Sequence, residues 1–319
     1  IKTDKNNNIY IAGAFSGTKT DFDPGPGTVN LPGNNKGDIF FAKYDANGNY
    51  LFVKNIGGSD LEAAAAMTLD KNNNILITGV FQTYLLDFDP GPATATLQLT
   101  GGANIYFAKY DSLGNYIYAH NIGGTAGANE SADIIADTAG NAIITGLMFN
   151  SNVDFDPGPG TALRSSNGNG DIFIAKYTAG GNFVFANTMG GTKSDKGYVL
   201  QTDKNNNIYV TGSFSESVDF DPGAAIHTLT SAGKSDIFFA KYDATGNYIY
   251  ANSIEGAVYD EAPAKLLVYN GGEIFLASNF KGTIDVNPVA SIVGTSAAAV
   301  ENGAADAVTV RCHTDNNPG

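Results

Sequence analysis

Short segments dominated by aliphatic and aromatic residues alternate with short polar segments along the whole chain. In one series, "AAAAMTLD" ends at Asp70 and is followed by "KNNN" and "ILITGVF", and then by "IYFAKYD", "SLGN" and "YIYAHNIGG". Apolar runs of this length, separated by Asn- and Gly-containing segments, predict β-strands joined by tight hairpin turns. No segment combines a 3.6-residue apolar period with helix caps, so we expect almost no helix.

The same series of four strands recurs along the chain. The acidic motif "DFDPG" begins at Asp21, Asp87, Asp154 and Asp219, and a diverged copy, "DVNP", begins at Asp285, which gives spacings of 66, 67, 65 and 66 residues. A second motif, "DIFFAKYDANGNY" in its first copy, keeps the same period. Its basic residue recurs as Lys43, Lys109, Lys176, Lys241 and Arg311. Five repeats of one design therefore fill the chain.

Four antiparallel strands per repeat predict an all-β protein, a β-propeller with five four-stranded antiparallel blades and a period of about 66 residues. We expect residues 1–319 to form a single β-propeller domain, with blades at about 1–58, 59–124, 125–191, 192–256 and 257–319, the last of them degenerate. A β-solenoid is the alternative, but its repeats are usually shorter and lack tight hairpins. The chain begins and ends within a repeat, so we interpret it as an excerpt of a longer protein that could carry more blades.

The composition limits the classes of partner that we expect for this chain. The net charge is -14, with 18 Lys and Arg against 32 Asp and Glu. Nucleic-acid binding depends on clustered basic residues, so this charge argues against a nucleic-acid partner. Cys312 is the single cysteine, which excludes an intrachain disulfide. No apolar run is long enough to predict a transmembrane segment, and no leader peptide is visible.

The combined pattern "D..NN.Y..G.F", "DFDPG", "DIF.AKYD..GNY" and "NIGG" resembles the β-propeller repeat of secreted bacterial surface proteins known as the SBBP repeat. The similarity covers nearly the whole chain, clearly in four repeats and weakly in the fifth. It implies an extracellular or cell-surface repeat protein of bacterial type. One departure concerns strand four, where the family tends to carry Trp and this chain has Phe52, Tyr118, Phe185 and Tyr250.

The acidic motif is the strongest functional candidate. Residues i and i+2 of an extended segment point to the same side, so the two aspartates would repel each other unless something compensates. A bound Ca²⁺ would compensate this repulsion, because it is coordinated by oxygen atoms. The diverged copy "DVNP" retains two side chains with oxygen atoms. The predicted metal ligands are Asp21, Asp23, Asp87, Asp89, Asp154, Asp156, Asp219, Asp221, Asp285 and Asn287. The alternative is a Pro-Gly turn whose first aspartate pairs with the strand-three lysine. "DKNNN" and "DANGN" are predicted to be hairpin turns.

No catalytic motif stands out. His120, His227 and His313 occupy non-equivalent repeat positions, and none has a partner at the spacing of zinc ligands. The carboxylate pair occurs in every repeat, whereas an active site is normally a single asymmetric cluster. We therefore expect a non-catalytic secreted or cell-surface module with a structural, adhesive or protein-interaction role, possible calcium stabilisation, and surface proteins or glycans as partners. A multivalent lectin is the alternative, and an enzyme acting on polysaccharides or peptides is the third candidate.

Overall fold

The computed structural model describes residues 1–17, 19–124, 129–149, 152–256, 262–269, 273–280, 284–285, 295–298 and 306–312. These residues form strands and turns and contain no helix, as the sequence predicts. In the same ranges there is consequently no helix that could cross a membrane. The chain divides into two compact units: residues 1–144, 150–165 and 175–184 form the first, and residues 145–149, 166–174 and 185–319 form the second.

The first repeat consists of β1 (Lys2–Thr3), β2 (Ile9–Phe15), β3 (Thr20–Asp21), β4 (Asn30–Leu31), β5 (Asp38–Tyr44) and β6 (Tyr50–Ile56). The second consists of β7 (Glu62–Leu69), β8 (Ile75–Phe81), β9 (Leu85–Asp87), β10 (Thr96–Gln98), β11 (Asn104–Tyr110) and β12 (Tyr116–Ile122). In both, four strands form a sheet in chain order, although β1 contains only two residues, and the other two strands form a separate ribbon.

The third repeat consists of β13 (Glu130–Ala136), β14 (Ala142–Met148), β15 (Val153–Asp154), β16 (Leu163–Arg164), β17 (Asp171–Tyr177) and β18 (Phe183–Met189). The fourth consists of β19 (Lys196–Thr202), β20 (Ile208–Phe214), β21 (Ser217–Asp219), β22 (Thr228–Thr230), β23 (Asp236–Tyr242) and β24 (Tyr248–Gly256). Both repeat the arrangement of four long strands plus a ribbon. The four long strands of each repeat were predicted; the ribbon that carries the acidic motif at its tip was not.

The fifth repeat departs from this design. It comprises β25 (Ala262–Tyr269), β26 (Glu273–Phe280), β27 (Ile284–Asp285), β28 (Thr295–Ala298) and β29 (Asp306–Cys312). The sheet order is β25-β26-β29-β28, so a segment that precedes β29 in the chain pairs with its outer edge. β27 pairs with the end of β24. The all-β architecture of four-stranded antiparallel sheets is consistent with a β-propeller.

Aspartate and asparagine side chains build the hairpin turns between the long strands. In the turn from β7 to β8, Asp70 Oδ1 accepts hydrogen bonds from the Asn72 and Asn74 backbone N–H groups, and Asp70 Oδ2 accepts one from Asn74 Nδ2 at 2.9 Å. Asn73 adopts a φ of 61°. Asn tolerates this left-handed conformation better than most residues. The same Asp-to-Asn contacts recur at Asp4, Asp45, Asp111, Asp137, Asp203 and Asp243, so "DKNNN" and "DANGN" are hairpin turns as predicted.

Three of the strand-three lysines form an ion pair with the aspartate of the turn between strands one and two. Lys109 Nζ lies 2.9 Å from Asp70 Oδ2 and also donates to the backbone oxygen of Ala179 at 3.2 Å. Both charged side chains are at most 5% exposed. Burial alone would raise the pKa of Asp70, but hydrogen bonds from Lys109 and Asn74 outweigh it and hold the pKa below its usual value. The predicted pairing of this lysine with the first aspartate of the acidic motif is therefore wrong. The lysine pairs instead with the turn aspartate, which directly follows the last residue of strand one.

The ion pair recurs with small changes. Lys176 Nζ lies 3.0 Å from Asp137, and Lys241 Nζ lies 3.7 Å from Asp203. Lys43 sits 4.8 Å above the centroid of the Tyr10 ring and donates to the backbone oxygen of Ser112 in the second repeat. Within the first compact unit, consecutive repeats also share aromatic contacts: Phe41 with Tyr110 at 4.4 Å, and Phe107 with Tyr177 at 4.1 Å between ring centroids.

We predict that Lys109→Met lowers the free energy of unfolding by about 3–5 kcal/mol, because it leaves Asp70 buried without its counter-charge. The matched control is Lys36→Met, which removes the exposed Lys36–Asp60 pair, in which the side chains are 60% and 42% exposed. That change is expected to cost about 1 kcal/mol or less. Urea unfolding of both variants provides the measurement. Equal losses in the two variants would contradict a structural role for the buried pair.

Candidate functional site

Each acidic motif forms the tip of its ribbon and is held by hydrogen bonds to its own backbone. Asp21 Oδ1 accepts from the N–H groups of Asp23 and Val29 at 3.0 and 2.8 Å, and Asp23 Oδ1 accepts from the N–H of Gly25 at 2.8 Å. The hydrogen bonds from Val29 and Asp23 hold the pKa of Asp21 below its usual value. The same three bonds recur in the second, third and fourth copies. The motif is therefore a turn in which both aspartates act as backbone acceptors.

The phenylalanine between the two aspartates anchors the corner to its sheet. Phe88 is fully buried, and its ring centroid lies 5.7 Å from that of Phe81 and 4.9 Å from that of Tyr106. Its backbone oxygen accepts a hydrogen bond from the hydroxyl of Tyr110, the last residue of β11, at 3.0 Å. The equivalent hydroxyl bonds are Tyr44 to Phe22, Tyr177 to Phe155 and Tyr242 to Phe220. The last tyrosine of strand three therefore holds the backbone of the corner in place.

The predicted metal ligands occupy equivalent places. Asp21, Asp87, Asp154 and Asp219 end the first strands of their ribbons, and each is joined to its second aspartate, Asp23, Asp89, Asp156 or Asp221, through the turn. Asp285 ends β27, and Asn287 lies outside the described residues. Across the ranges that are described, no group of three or more His, Cys, Asp and Glu side chains is placed to hold a metal ion. Ca²⁺ requires six to eight oxygens, so calcium binding at the corners stays a prediction.

A cleft of about 330 Å³ lies beside the third corner, within the first compact unit. The residues that line it come from strand β12 and the ribbon of the second repeat and from the third corner. Its lining includes Leu97, His120, Asn121, Asp154, Asp156 and Pro157. The backbone N–H of Asp154 donates to the oxygen of Gly123 at 3.1 Å, which attaches the corner to the end of strand β12. The volume falls at the lower end of the range for small-ligand sites.

His120 gives this cleft an aromatic wall. Its ring stacks on Tyr118 with centroids 5.1 Å apart and contacts Phe107 at 5.2 Å. Burial lowers the pKa of His120, so its imidazole is neutral at neutral pH. Asp154 and Asp156 each use one carboxylate oxygen for backbone N–H groups, and their second oxygens accept no hydrogen bond from the described residues. The cleft therefore combines two carboxylates with a neutral ring.

A second acidic site lies in the other compact unit and contains buried carboxylates. Asp171 is 1% exposed, accepts a hydrogen bond from the Asn167 N–H, and has no partner for Oδ1. Asp195 is fully buried and accepts from the Gly191 and Ser215 N–H groups. Burial raises the pKa of each to about 6, and in Asp195 the negative charge of Asp171 adds to the effect.

Sequence reasoning missed both of these sites. It treated His120 as an isolated strand residue, because the equivalent positions are Lys54, Asn187 and Asn252. That variation at a position next to a repeated acidic corner is the signal that could have identified the cleft. Asp171 was passed over because it belongs to the strand-three motif, where its counterparts are Asp38, Asn104 and Asp236.

Comparison with known proteins found a similarity to a WD repeat-containing protein. No family model matches it. An uncharacterized WD repeat-containing protein of Acanthamoeba polyphaga mimivirus is 28% identical over 330 aligned positions, which include 88% of this chain. The chain spans about a quarter of the length of that relative, since the match covers 24% of it. This similarity suggests a β-propeller repeat family, in agreement with the four-stranded antiparallel sheets.

We predict that Asp171→Asn raises the free energy of unfolding at neutral pH, by on the order of 1–3 kcal/mol. A carboxyl with a raised pKa in the folded state stabilises the protein below its unfolded pKa of about 4, and this contribution is lost as the pH rises through about 6. The variant should therefore show its largest gain near pH 7 and little gain near pH 4. Asn104 already occupies the equivalent position in the second repeat.

Chemical denaturation of wild type and variant across this pH range measures the difference. Comparing the two proteins cancels the contribution of His120, whose lowered pKa has the opposite sign in the same window. Asp60→Asn is the control, since Asp60 is exposed and its pKa is lowered by Lys36. A gain that did not depend on pH would show that Asp171 is not a desolvated carboxylate.

Proposed function

We propose that this chain is a non-catalytic β-propeller module that binds other proteins. The observation that carries the proposal is that the repeated polar residues are bound within the fold. The corner aspartates accept backbone N–H groups, and the turn aspartates accept asparagine amides and lysine ammonium groups. A repeated set of such contacts builds a scaffold, whereas a catalytic site requires one asymmetric cluster. The similarity to a WD repeat-containing protein supports an interaction role.

A second feature that supports protein binding is the outer strand of each sheet. The residue after the first aromatic of strand four is aliphatic and exposed in all four repeats: Leu51 (48%), Ile117 (45%), Val184 (46%) and Ile249 (42%). Edge strands of soluble proteins usually avoid association by carrying charged residues, particularly lysine. Retaining an aliphatic side chain at the same edge position in each repeat is therefore what an interaction surface would require.

The finer parts of the proposal rest on the sequence alone. The motif resemblance supports membership of the SBBP-type bacterial repeats, and with it a secreted or cell-surface location and an adhesive or structural role among surface proteins. The net charge of -14 supports partners that present basic groups. Five blades, with boundaries close to those of the sequence repeats, also belong to the proposal. Stabilisation by Ca²⁺ at the corners belongs to it as well, supported by the second carboxylate oxygens of Asp21, Asp23, Asp87 and Asp89, which accept no hydrogen bond from the described residues.

The calcium proposal predicts that chelation lowers the melting temperature of protein prepared in calcium and that added Ca²⁺ restores it. With an affinity near 10⁻³ M and millimolar calcium, each site would contribute about 0.4 kcal/mol, so several corners together give a measurable change. Mg²⁺ should be less effective because it requires stricter octahedral geometry. Differential scanning calorimetry provides the measurement. A melting curve that excess chelator leaves unchanged would leave the turn as the complete account of "DFDPG".

The interaction role predicts that display libraries of folded proteins or peptides yield binders that depend on the exposed aliphatic row. We expect Ile117→Lys to weaken such binders by about tenfold or more, because a buried interface contact is replaced by a charge. Leu113→Lys is the matched control: Leu113 is 66% exposed and lies in the neighbouring turn. Binders that are insensitive at all four row positions would contradict the surface. A reproducible hydrolase or lyase activity, lost on changing one carboxylate, would contradict the non-catalytic role.

A further inference from the structure

The cleft beside the third corner carries a net negative charge that its own lining does not neutralise. Asp154 and Asp156 each keep one oxygen without a hydrogen bond from the described residues, and none of the lining residues within the described part of the chain is Lys or Arg. His120 is held neutral by burial and so does not supply a positive charge at neutral pH. Two carboxylates that repel each other in a half-buried cleft favour a cationic ligand.

The shape of the lining favours a planar cation with an apolar stem. The His120 ring stacks on Tyr118, so the lining of the cleft contains an aromatic surface as well as the two carboxylates. Leu97 and Pro157 supply apolar surface in the cleft, and Leu163, which pairs with Asp154 across the ribbon, is 50% exposed. A guanidinium group binds carboxylates through paired N–H donors and stacks on aromatic faces, while its methylene stem packs on apolar surface.

Comparison of the repeats shows how the charge at this strand position changes. The position of His120 is Lys54 in the first repeat, where the side chain packs against Gly114 in the turn between β11 and β12. The second repeat has an imidazole ring there and retains both aspartates of the following corner. The strand position therefore loses a positive charge while the carboxylates of the corner are kept.

We propose that this cleft binds the arginine side chain of a partner protein, in place of the Ca²⁺ proposed for the other corners. This inference rests on the proposed interaction role and identifies the chemistry of one contact. The guanidinium would donate to the open oxygens of Asp154 and Asp156 and lie against His120. Asn121 Nδ2 already donates to the backbone oxygen of Gln98 at 2.8 Å, which fixes the orientation of that amide at the rim of the cleft.

The test is a titration of the whole chain with N-acetyl-arginine amide, observed through the imidazole NMR signals of its three histidines. The signal of His120 is assigned with His120→Asn, the residue that the third and fourth repeats carry. We expect saturable shifts of His120 alone, with His227 as an internal control. N-acetyl-citrulline amide, which is nearly isosteric but uncharged, should produce no saturable shift. Repeating the titration with excess chelator excludes a contribution from calcium.

Two matched variants locate the site. Asp156→Asn keeps an oxygen acceptor for the Gly158 N–H, so the turn is retained while one charge is lost, and the affinity for the arginine amide should fall about tenfold or more. Asp89→Asn makes the same change at the second corner and should leave the affinity unchanged. Citrulline binding as tight as arginine binding, equal loss in both variants, no shift of His120, or Ca²⁺ in place of arginine at this cleft would each overturn the proposal. Binders from a display library would be unaffected by that failure, which separates it from failure of the interaction role.

Discussion

The ion pair between the strand-three lysine and the turn aspartate is the interaction on which the sheets of the second, third and fourth repeats depend. Lys109 lies opposite Leu76 of strand two, so its ammonium reaches the turn that joins strands one and two. There Asp70 already binds the turn's own N–H groups and the Asn74 amide. A buried charge is tolerated when all its hydrogen-bonding capacity is used, and the bond from Lys109 to Ala179 extends the same network to the next repeat. In the first and fourth repeats Tyr10 and Tyr209 lie under the ammonium at 4.8 and 4.9 Å, and in the fourth repeat this contact accompanies a longer ion pair of 3.7 Å.

The acidic corner depends on a second pair of residues that change together. In the four regular repeats a buried phenylalanine packs between strands two and three, and the hydroxyl of the last tyrosine of strand three binds its backbone oxygen. The fifth repeat has Val286 in place of that phenylalanine and Cys312 in place of that tyrosine. Because the tyrosine hydroxyl binds the backbone of the phenylalanine segment, the two residues belong to one contact, and the sequence of the fifth repeat lacks both. The oxygen-bearing Asp285 and Asn287 persist in the fifth repeat after this anchor has gone.

These contacts also show what the sequence could predict. Strand β8 was predicted as "ILITGVF" and spans Ile75–Phe81, because an apolar run between two turn signals determines both ends. The ribbon was missed because β3 contains two residues, too few for any periodic signal, and the hydrogen bonds of the corner create it. The prediction of the lysine's partner was wrong for a different reason. Turn and corner aspartates recur with the same period, so repetition alone does not distinguish them, whereas the strand register does.

Repetition separates structural residues from candidates for specific recognition. A residue that supports the fold must be present wherever its contact is made, as the strand-three lysines and the aspartates of the turn between strands one and two are in all four regular repeats. The position of His120 is occupied by lysine, histidine, asparagine and asparagine in turn, although the corner beside it keeps its two aspartates. The fold therefore does not require any one of these side chains, and each changes the charge and shape presented next to a constant pair of carboxylates. In a protein built from one repeated unit, such positions are where a single binding site can arise without disturbing the scaffold.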